Sequence, residues 1–188
     1  MIYLIGNRCV HRILDTLVSE KIYGTYIKLP TRNTCLHDSI LNDEGLYPYF
    51  KDCIGAIDGT HIPAFVPEIR CAPFRNRKGE ISQNVLAACS FDLKFVYILS
   101  GWEGSASDSL VYQNARSRDF QIPEGKYYLA DAGYPNTDAL LAPYRGMRYH
   151  LKEWGNSRDR CKYILPSVIL INGYRPRNHE ELFNLRHA

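Results

Sequence analysis

The sequence lacks any pair of cysteines in C-x-x-C spacing, any apolar run of membrane length and any large surplus of one charge. Each absence removes a class of protein. Its six cysteines (Cys9, Cys35, Cys53, Cys71, Cys89 and Cys161) are scattered, and Cys53 and Cys89 lie inside apolar stretches, so they read as reduced thiols of an intracellular protein. The opening Met1-Ile2-Tyr3-Leu4-Ile5 is too short for the apolar core of a secretory leader. No segment approaches the roughly 20 apolar residues that a membrane helix needs. A formal charge of +3 tolerates an anionic partner but falls short of a nucleic-acid packager. Repeats and low-complexity tracts are also missing. What remains is one globular domain, for which 188 residues that are 45% hydrophobic supply a sizeable core, with a nucleocytoplasmic address by elimination.

Read along the chain, Ile13, Leu14, Leu17, Val18 and Ile22 recur at helical spacing and predict one amphipathic helix over residues 10–22, packed on the core rather than reading DNA. Residues 24–52, rich in Pro, Asn, Asp and Tyr, read as loop with at most a short helix. The segment Cys53-Ile54-Gly55-Ala56-Ile57 reads as a buried strand, and residues 83–91 and 94–100, parted by Asp92-Leu93, as a hairpin of two more. Ser105 or Ser107 can cap a helix reaching about Arg116, after which Tyr127-Tyr128-Leu129-Ala130 gives another strand. Residues 137–141 and 180–185 could each form a short helix. The fold class is therefore α/β, a mixed sheet with helices on its faces. Residues 1–44 form a helical and loop lead-in to a domain over 45–188, and the β-prone apolar run within about 161–174 reads as an extra strand or a foreign insertion.

Three acidic strings stand out: Ala56-Ile57-Asp58-Gly59-Thr60-His61, Ser105-Ala106-Ser107-Asp108-Ser109 and Ala130-Asp131-Ala132-Gly133-Tyr134. Asp58 and Asp131 each follow a short apolar run and precede glycine, so each is expected where a buried strand emerges and turns; the plainer reading is a turn-initiating aspartate. Asp108 lies in the first turn of the expected helix, either as an auxiliary acid or as ordinary helix-start chemistry. His61 stands three residues beyond Asp58 and would face the other side of an extended strand, which favours a packing or hydrogen-bonding role over a return towards phosphate by a turn at Gly59. Arg75, Arg77 and Lys78, beside Phe74 and Asn76, can meet successive phosphates or form a solvated loop. Arg145, Arg148 and Lys152, near Tyr144, Tyr149 and Trp154, make a second basic and aromatic cluster. Trp102 either stacks on an unpaired base or packs in the core.

Taken in order, these strings resemble the DDE nuclease domain of the PIF/Harbinger transposases and their domesticated relatives. The matching text is Gly55-Ala56-Ile57-Asp58-Gly59-Thr60-His61-Ile62, Phe74-Arg75-Asn76-Arg77-Lys78-Gly79, Ser82-Gln83-Asn84-Val85-Leu86-Ala87, Gly101-Trp102-Glu103-Gly104-Ser105 through Asp108-Ser109, Asp131-Ala132-Gly133-Tyr134-Pro135, Ala142-Pro143-Tyr144-Arg145-Gly146 and Glu181-Leu182-Phe183-Asn184-Leu185-Arg186-His187. The resemblance implies an RNase H-like fold and cleavage or strand transfer on DNA with a divalent metal cation, Mg²⁺ or Mn²⁺. It makes Asp58 and Asp131 the first two catalytic, metal-holding acids. It also implies a nuclear protein and a Myb/SANT-like partner. The family's third acid is a glutamate in a helix after the Asn-Leu-Arg-His string, so the expectation is a fold incomplete at its C-terminal catalytic helix and an impaired activity. The alternative is a domesticated, non-catalytic module that binds DNA or a protein.

Overall fold

The computed structural model describes residues 2–147 and 178–187. The apolar insert, Arg148, Tyr149, Lys152 and Trp154 lie outside the described residues. The elements, in chain order, are α1 (Ile2–Leu17), α2 (Tyr23–Tyr26), α3 (Asp38–Leu41), β1 (Cys53–Pro63), a 3₁₀ turn (Glu68–Arg70), α4 (Cys71–Phe74), β2 (Ser82–Cys89), β3 (Phe95–Glu103), α5 (Asp108–Arg118), β4 (Tyr127–Leu129), β5 (Leu140–Leu141) and α6 (His179–His187).

The five strands form one mixed sheet in the order β3-β2-β1-β4-β5. β2 runs antiparallel to both β1 and β3, whereas β4 lies parallel to β1 and β5 parallel to β4. A parallel neighbour needs a crossover, and α5 is the crossover element between β3 and β4. Its Val111, Tyr112 and Ala115 pack with Ile57, Leu86, Ala88, Tyr97, Phe120 and Tyr128 in the main core. A second cluster, Ile40, Phe50 and Cys53 with Leu36, Leu46, Tyr127, Leu129 and Leu141, contains the alternate residues of the same strands. Period-2 alternation therefore puts it on the sheet's opposite face.

β1 carries an irregularity that this alternation makes visible. Ile54 and Ile57 belong to the same core although an unbroken strand would point them to opposite faces. The β1–β4 register shifts between Cys53 and Ala56, a bulge that absorbs one residue. Gly55 sits in it, so close to β2 that a Cβ would meet the Cys89 carbonyl oxygen at 2.0 Å. Backbone leaves no room for a side chain there.

Several expectations need correction. β1 does not turn at Gly59; it runs on to Pro63 in unbroken register with β2, so Asp58 is a mid-strand residue opposite Ala87. Residues 137–141 are not a helix, because Leu140 and Leu141 pair with β4 and bury one side chain in each core, a tertiary gain that a five-residue helix could not match. β3 extends three residues past Ser100, with Trp102 half-buried and packed against the main core. The first helix ends at Leu17 instead of 22, and Val10, Ile13, Leu14, Leu17 and Val18 stay exposed, so its apolar stripe does not pack on the core.

Gly55→Ala should lower the melting temperature markedly, by the equivalent of about 1–3 kcal/mol for an overpacked site. Thermal unfolding checks this, and an unchanged midpoint would mean that β2 can yield at Cys89.

Candidate active site

The parallel pairing of β1 and β4 brings two carboxylates side by side. Ala56 is opposite Leu129, and Asp58 and Asp131 each lie two residues further on. The continuation past Leu129 is held by a bond from the Ala130 amide to the Leu141 carbonyl, 3.1 Å. Ala130 is buried in the α5-side core, so alternation puts Asp131 on the other face; Ile57 is buried there too, which puts Asp58 on that other face as well. The bulge at Gly55 thus decides that β1 shows its carboxylate on the same side as β4.

Short bonds shape the ends of both carboxylates. Asp58 Oδ1 accepts from the Gly59 amide at 2.8 Å and Asp131 Oδ1 from the Gly133 amide at 2.8 Å. The Asp131 turn is clamped from two directions. Ser109 Oγ of α5 donates to the Gly133 carbonyl at 2.9 Å, and Arg145 donates through Nε to the Ala132 carbonyl at 2.8 Å and through Nη2 to Gly133 at 3.3 Å. Arg145, expected on the DNA path, is engaged here as a brace for the acidic turn. Below it, α6 docks through Asn184, which bonds both the amide and the carbonyl of Tyr144 (2.7 and 2.9 Å), and through His187 Nε2 to the Leu141 carbonyl at 2.9 Å. Burial lowers the His187 pKa, while the nearby Asp131 charge opposes that shift. Tyr144 packs edge-on against Phe183 of α6 while remaining exposed.

Asp108 lies across the strand from this pair. Gly59 faces α5, and a Cβ on it would stand only 2.0 Å from Asp108 Oδ1, so the carboxylate fills the space that glycine leaves. Asn84, fully buried on β2, donates from Nδ2 to Asp108 Oδ1 at 2.8 Å and to the Ala106 carbonyl at 3.0 Å. Ser107 supplies the cap, its Oγ accepting from the Leu110 amide at 3.3 Å. Sequence reasoning missed Asn84, whose only signal is a polar residue at an inward position of a buried strand. His61 is confirmed as a hydrogen-bonding residue, its Nδ1 3.0 Å from Ser82 Oγ.

Among the described residues no three acidic, histidine or cysteine side chains converge as a metal site. The donor set nonetheless suits a hard cation, because it offers carboxylate oxygens and uncompensated negative charge. Asp58 registers that charge. Its carboxyl is held above the ordinary value chiefly by desolvation, opposed by the Gly59 amide, and raised further by the charges of Asp131 and Asp108. The buried Tyr134 hydroxyl is pushed up by desolvation and then by the same three carboxylates.

Of the basic loop, Arg75 donates from Nη1 to the Gly79 carbonyl at 2.7 Å and braces the turn. Arg77 and Lys78 line a cleft of about 430 Å³ with Gly59, His61, Ser105, Ser107 and Asp108. The structure therefore brings two of the three predicted cations beside the acidic region.

The raised Asp58 pKa fixes the sign of a stability effect. The native state binds this proton more tightly than the unfolded chain, so the penalty is absent below the unfolded carboxylate pKa and fully present above the raised native value. Without divalent ions, Asp58→Asn should melt above the wild type at neutral pH, and the gap should close as pH falls through the acid range. Melting curves at several pH values check this; a variant that is less stable at neutral pH would contradict the penalty from burial and neighbouring charge.

Comparison with known proteins supplies the family. The family model for the DDE superfamily endonucleases matches residues 57–188. The chain is 29% identical over 113 residues to "Protein ALP1-like" of Arabidopsis thaliana, a match taking in 50% of this chain and 28% of that protein. The chain thus spans well under half the length of that relative. No solved structure matches. With the matched region running from the strand that carries Asp58 through the turn of Asp131 to α6, the chain belongs to the DDE superfamily endonucleases, as its resemblance to the Harbinger-type transposases implies.

Proposed function

We propose that the protein is a transposase-derived endonuclease that works on DNA phosphodiesters with a divalent metal, Mg²⁺ or Mn²⁺, held by Asp58 and Asp131. The observation that carries this reading is the pair of carboxylates two residues beyond the Ala56–Leu129 register, on one face of parallel neighbouring strands. The strand order, with β1 antiparallel to β2 and parallel to β4, supports an RNase H-like fold. When bound, such cations activate an oxygen nucleophile and neutralise the charge that develops on phosphate.

The chain's own residues position the reaction. Asp58 and Asp131 present oxygen ligands whose orientation is set by the Gly59 and Gly133 amides. Ser109 and Arg145 keep the Asp131 turn from relaxing away from β1. This matters because phosphoryl transfer depends mostly on alignment and electrostatics. Asp108, bonded to Asn84 on the far side of β1, acts as an auxiliary charge and not as a core ligand. Arg77 and Lys78 supply contacts to DNA phosphates. A nuclear location and a Myb/SANT-like partner belong to the same proposal, since they follow from the resemblance to the Harbinger-type family.

Calorimetric titration with Mn²⁺ should give a clear isotherm for the wild type and a much weaker one for Asp58→Asn and for Asp131→Asn; equal affinities would remove both residues from the site. In parallel, nicking of supercoiled plasmid with Mn²⁺ should be weak, in keeping with the expected impairment, and any that occurs should be lost in either variant. DNA retention that is the same with and without Mn²⁺, together with no Mn²⁺ isotherm for the wild type, would select the non-catalytic module instead. Replacing Arg77 and Lys78 by alanine should reduce the slope of log K against log salt by up to about 2, at roughly 0.9 per phosphate contact.

A further inference from the structure

Between β1 and the basic turn the chain makes a tip, residues 64–70, that the acidic site does not use. It presents its apolar side chains outward. Phe65 is 103% exposed and Ile69 94%, more than any other large apolar side chain among the described residues, and Ile62, near the end of β1, is 52% exposed. One exposed apolar residue is ordinary in a folded protein. Three within eight residues, with a phenylalanine ring wholly in solvent, call for another account. The backbone beneath them is well tied. Pro63 and Pro67 fix their own φ angles, and the Ala64 amide prolongs the pairing of β1 with β2 by donating to the Ile81 carbonyl at 3.0 Å. The Cys71 thiol donates back to the Val66 and Pro67 carbonyls, at 3.2 and 3.5 Å, and the Arg70 amide closes on the Pro67 carbonyl at 2.8 Å. Ala64, Val66 and Cys71 are the half-buried underside, and Phe65 alternates outward between the first two. The tip is thus ordered before any partner arrives, which lowers the entropy cost of binding one.

Charge identifies the kind of partner. Residues 64–80 carry four cations, Arg70, Arg75, Arg77 and Lys78, against two carboxylates, of which Glu80 is held by Asn76 Nδ2 at 3.1 Å and Glu68 is exposed. Arg70, beside Ile69, is exposed and has no ion-pair partner among the described residues. Apolar side chains set among cations match double-stranded DNA, which offers apolar base faces between its steps and anionic backbones on either side of them. Position agrees with this. β1 passes from Asp58 directly into the tip, and the five residues from Asp58 to Pro63 span about 17 Å, the length of roughly five base pairs. One short duplex is long enough to engage both.

We propose that the tip is a DNA wedge: Phe65, supported by Ile69, enters between two base pairs of a duplex and unstacks them, with Arg70 on an adjoining phosphate. The proposal rests on the DNA reading of the site and goes beyond it, because phosphate contacts hold a duplex without opening it, whereas an inserted side chain kinks it. Opening a step is least costly at pyrimidine–purine steps. The wedge therefore supplies a sequence preference without any contact to a base edge.

A base analogue that fluoresces when unstacked, 2-aminopurine, tests it. Short duplexes, each carrying the analogue at one step, are titrated with the full chain in the absence of divalent metal, so that the DNA stays intact. Wild type should brighten the analogue, most at pyrimidine–purine steps. Phe65→Ala should lose the brightening and weaken binding by roughly tenfold, in the range of an aromatic contact to bases. Phe65→Leu, a smaller apolar wedge, should keep part of the signal. Both variants should retain the wild-type melting temperature, since the ring is in solvent, and the wild-type slope of log K against log salt, since the cations are untouched. Duplex binding by the wild type with no brightening at any step, or brightening that survives Phe65→Ala/Ile69→Ala, would overturn the wedge and leave DNA binding standing. No duplex binding by the wild type would remove the DNA reading and the wedge with it. A wild-type dimer on gel filtration that becomes monomeric in the double variant would make the tip a contact between copies of the chain and reject the wedge.

Discussion

The close approach of Gly55 to the Cys89 carbonyl is the contact on which the acidic site depends. It seats the bulge that brings both Ile54 and Ile57 into one core, and so reverses the facing of everything that follows on β1. Without that one-residue slip, Asp58 would point into the layer beneath α5, and Gly59 would face the Asp131 side. A single backbone irregularity therefore aligns β1's carboxylate with that of β4, because side-chain direction in a strand has a period of two and no intermediate setting.

Once the carboxylates are aligned, they repel. The Asp58 pKa is raised chiefly by burial, and the charges of Asp131 and Asp108 add to that rise, while the surrounding bonds hold the geometry. Gly59 and Gly133 donate backbone amides to the two carboxylates, Arg145 and Ser109 hold the Asp131 turn, and Asn184 with His187 docks α6 beneath it. Asp108 is kept apart from the pair by the thickness of β1 and bonded to Asn84. That separation explains why three aspartates so close in electrostatic terms do not converge as a three-ligand site among the described residues.

Element type was readable where local signals were strong. The β2–β3 hairpin, the Ser107 cap of α5, the final strand before Asp131 and the helix over the Asn-Leu-Arg-His string all follow from alternation, capping residues or spacing. Residues 137–141 failed because a five-residue segment has little intrinsic preference, and pairing with β4 overrode it. Asp58 was misread as a strand end because glycine after aspartate usually marks a turn. Here Gly59 serves another purpose, the admission of the Asp108 carboxylate against β1. The basic residues divide similarly: Arg75 and Arg145 look like Arg77 in the sequence, yet both donate to backbone carbonyls of turns, and nothing in a one-dimensional pattern distinguishes a brace from a surface cation.

From its sequence alone the protein is an α/β domain with two aspartates behind buried strands, a basic string between them and the order of motifs that marks a DDE endonuclease. Those properties are local, set by side-chain chemistry within a few residues of each position. Tertiary structure decided that Asp58 and Asp131 share a face, that Asp108 stands across the strand from them, that two of the arginines are structural, and that Arg77 and Lys78 meet the first turn of α5 across a cleft. Each of these depends on pairing register or on contacts between segments tens of residues apart, and register is fixed only when the whole sheet packs against both of its cores.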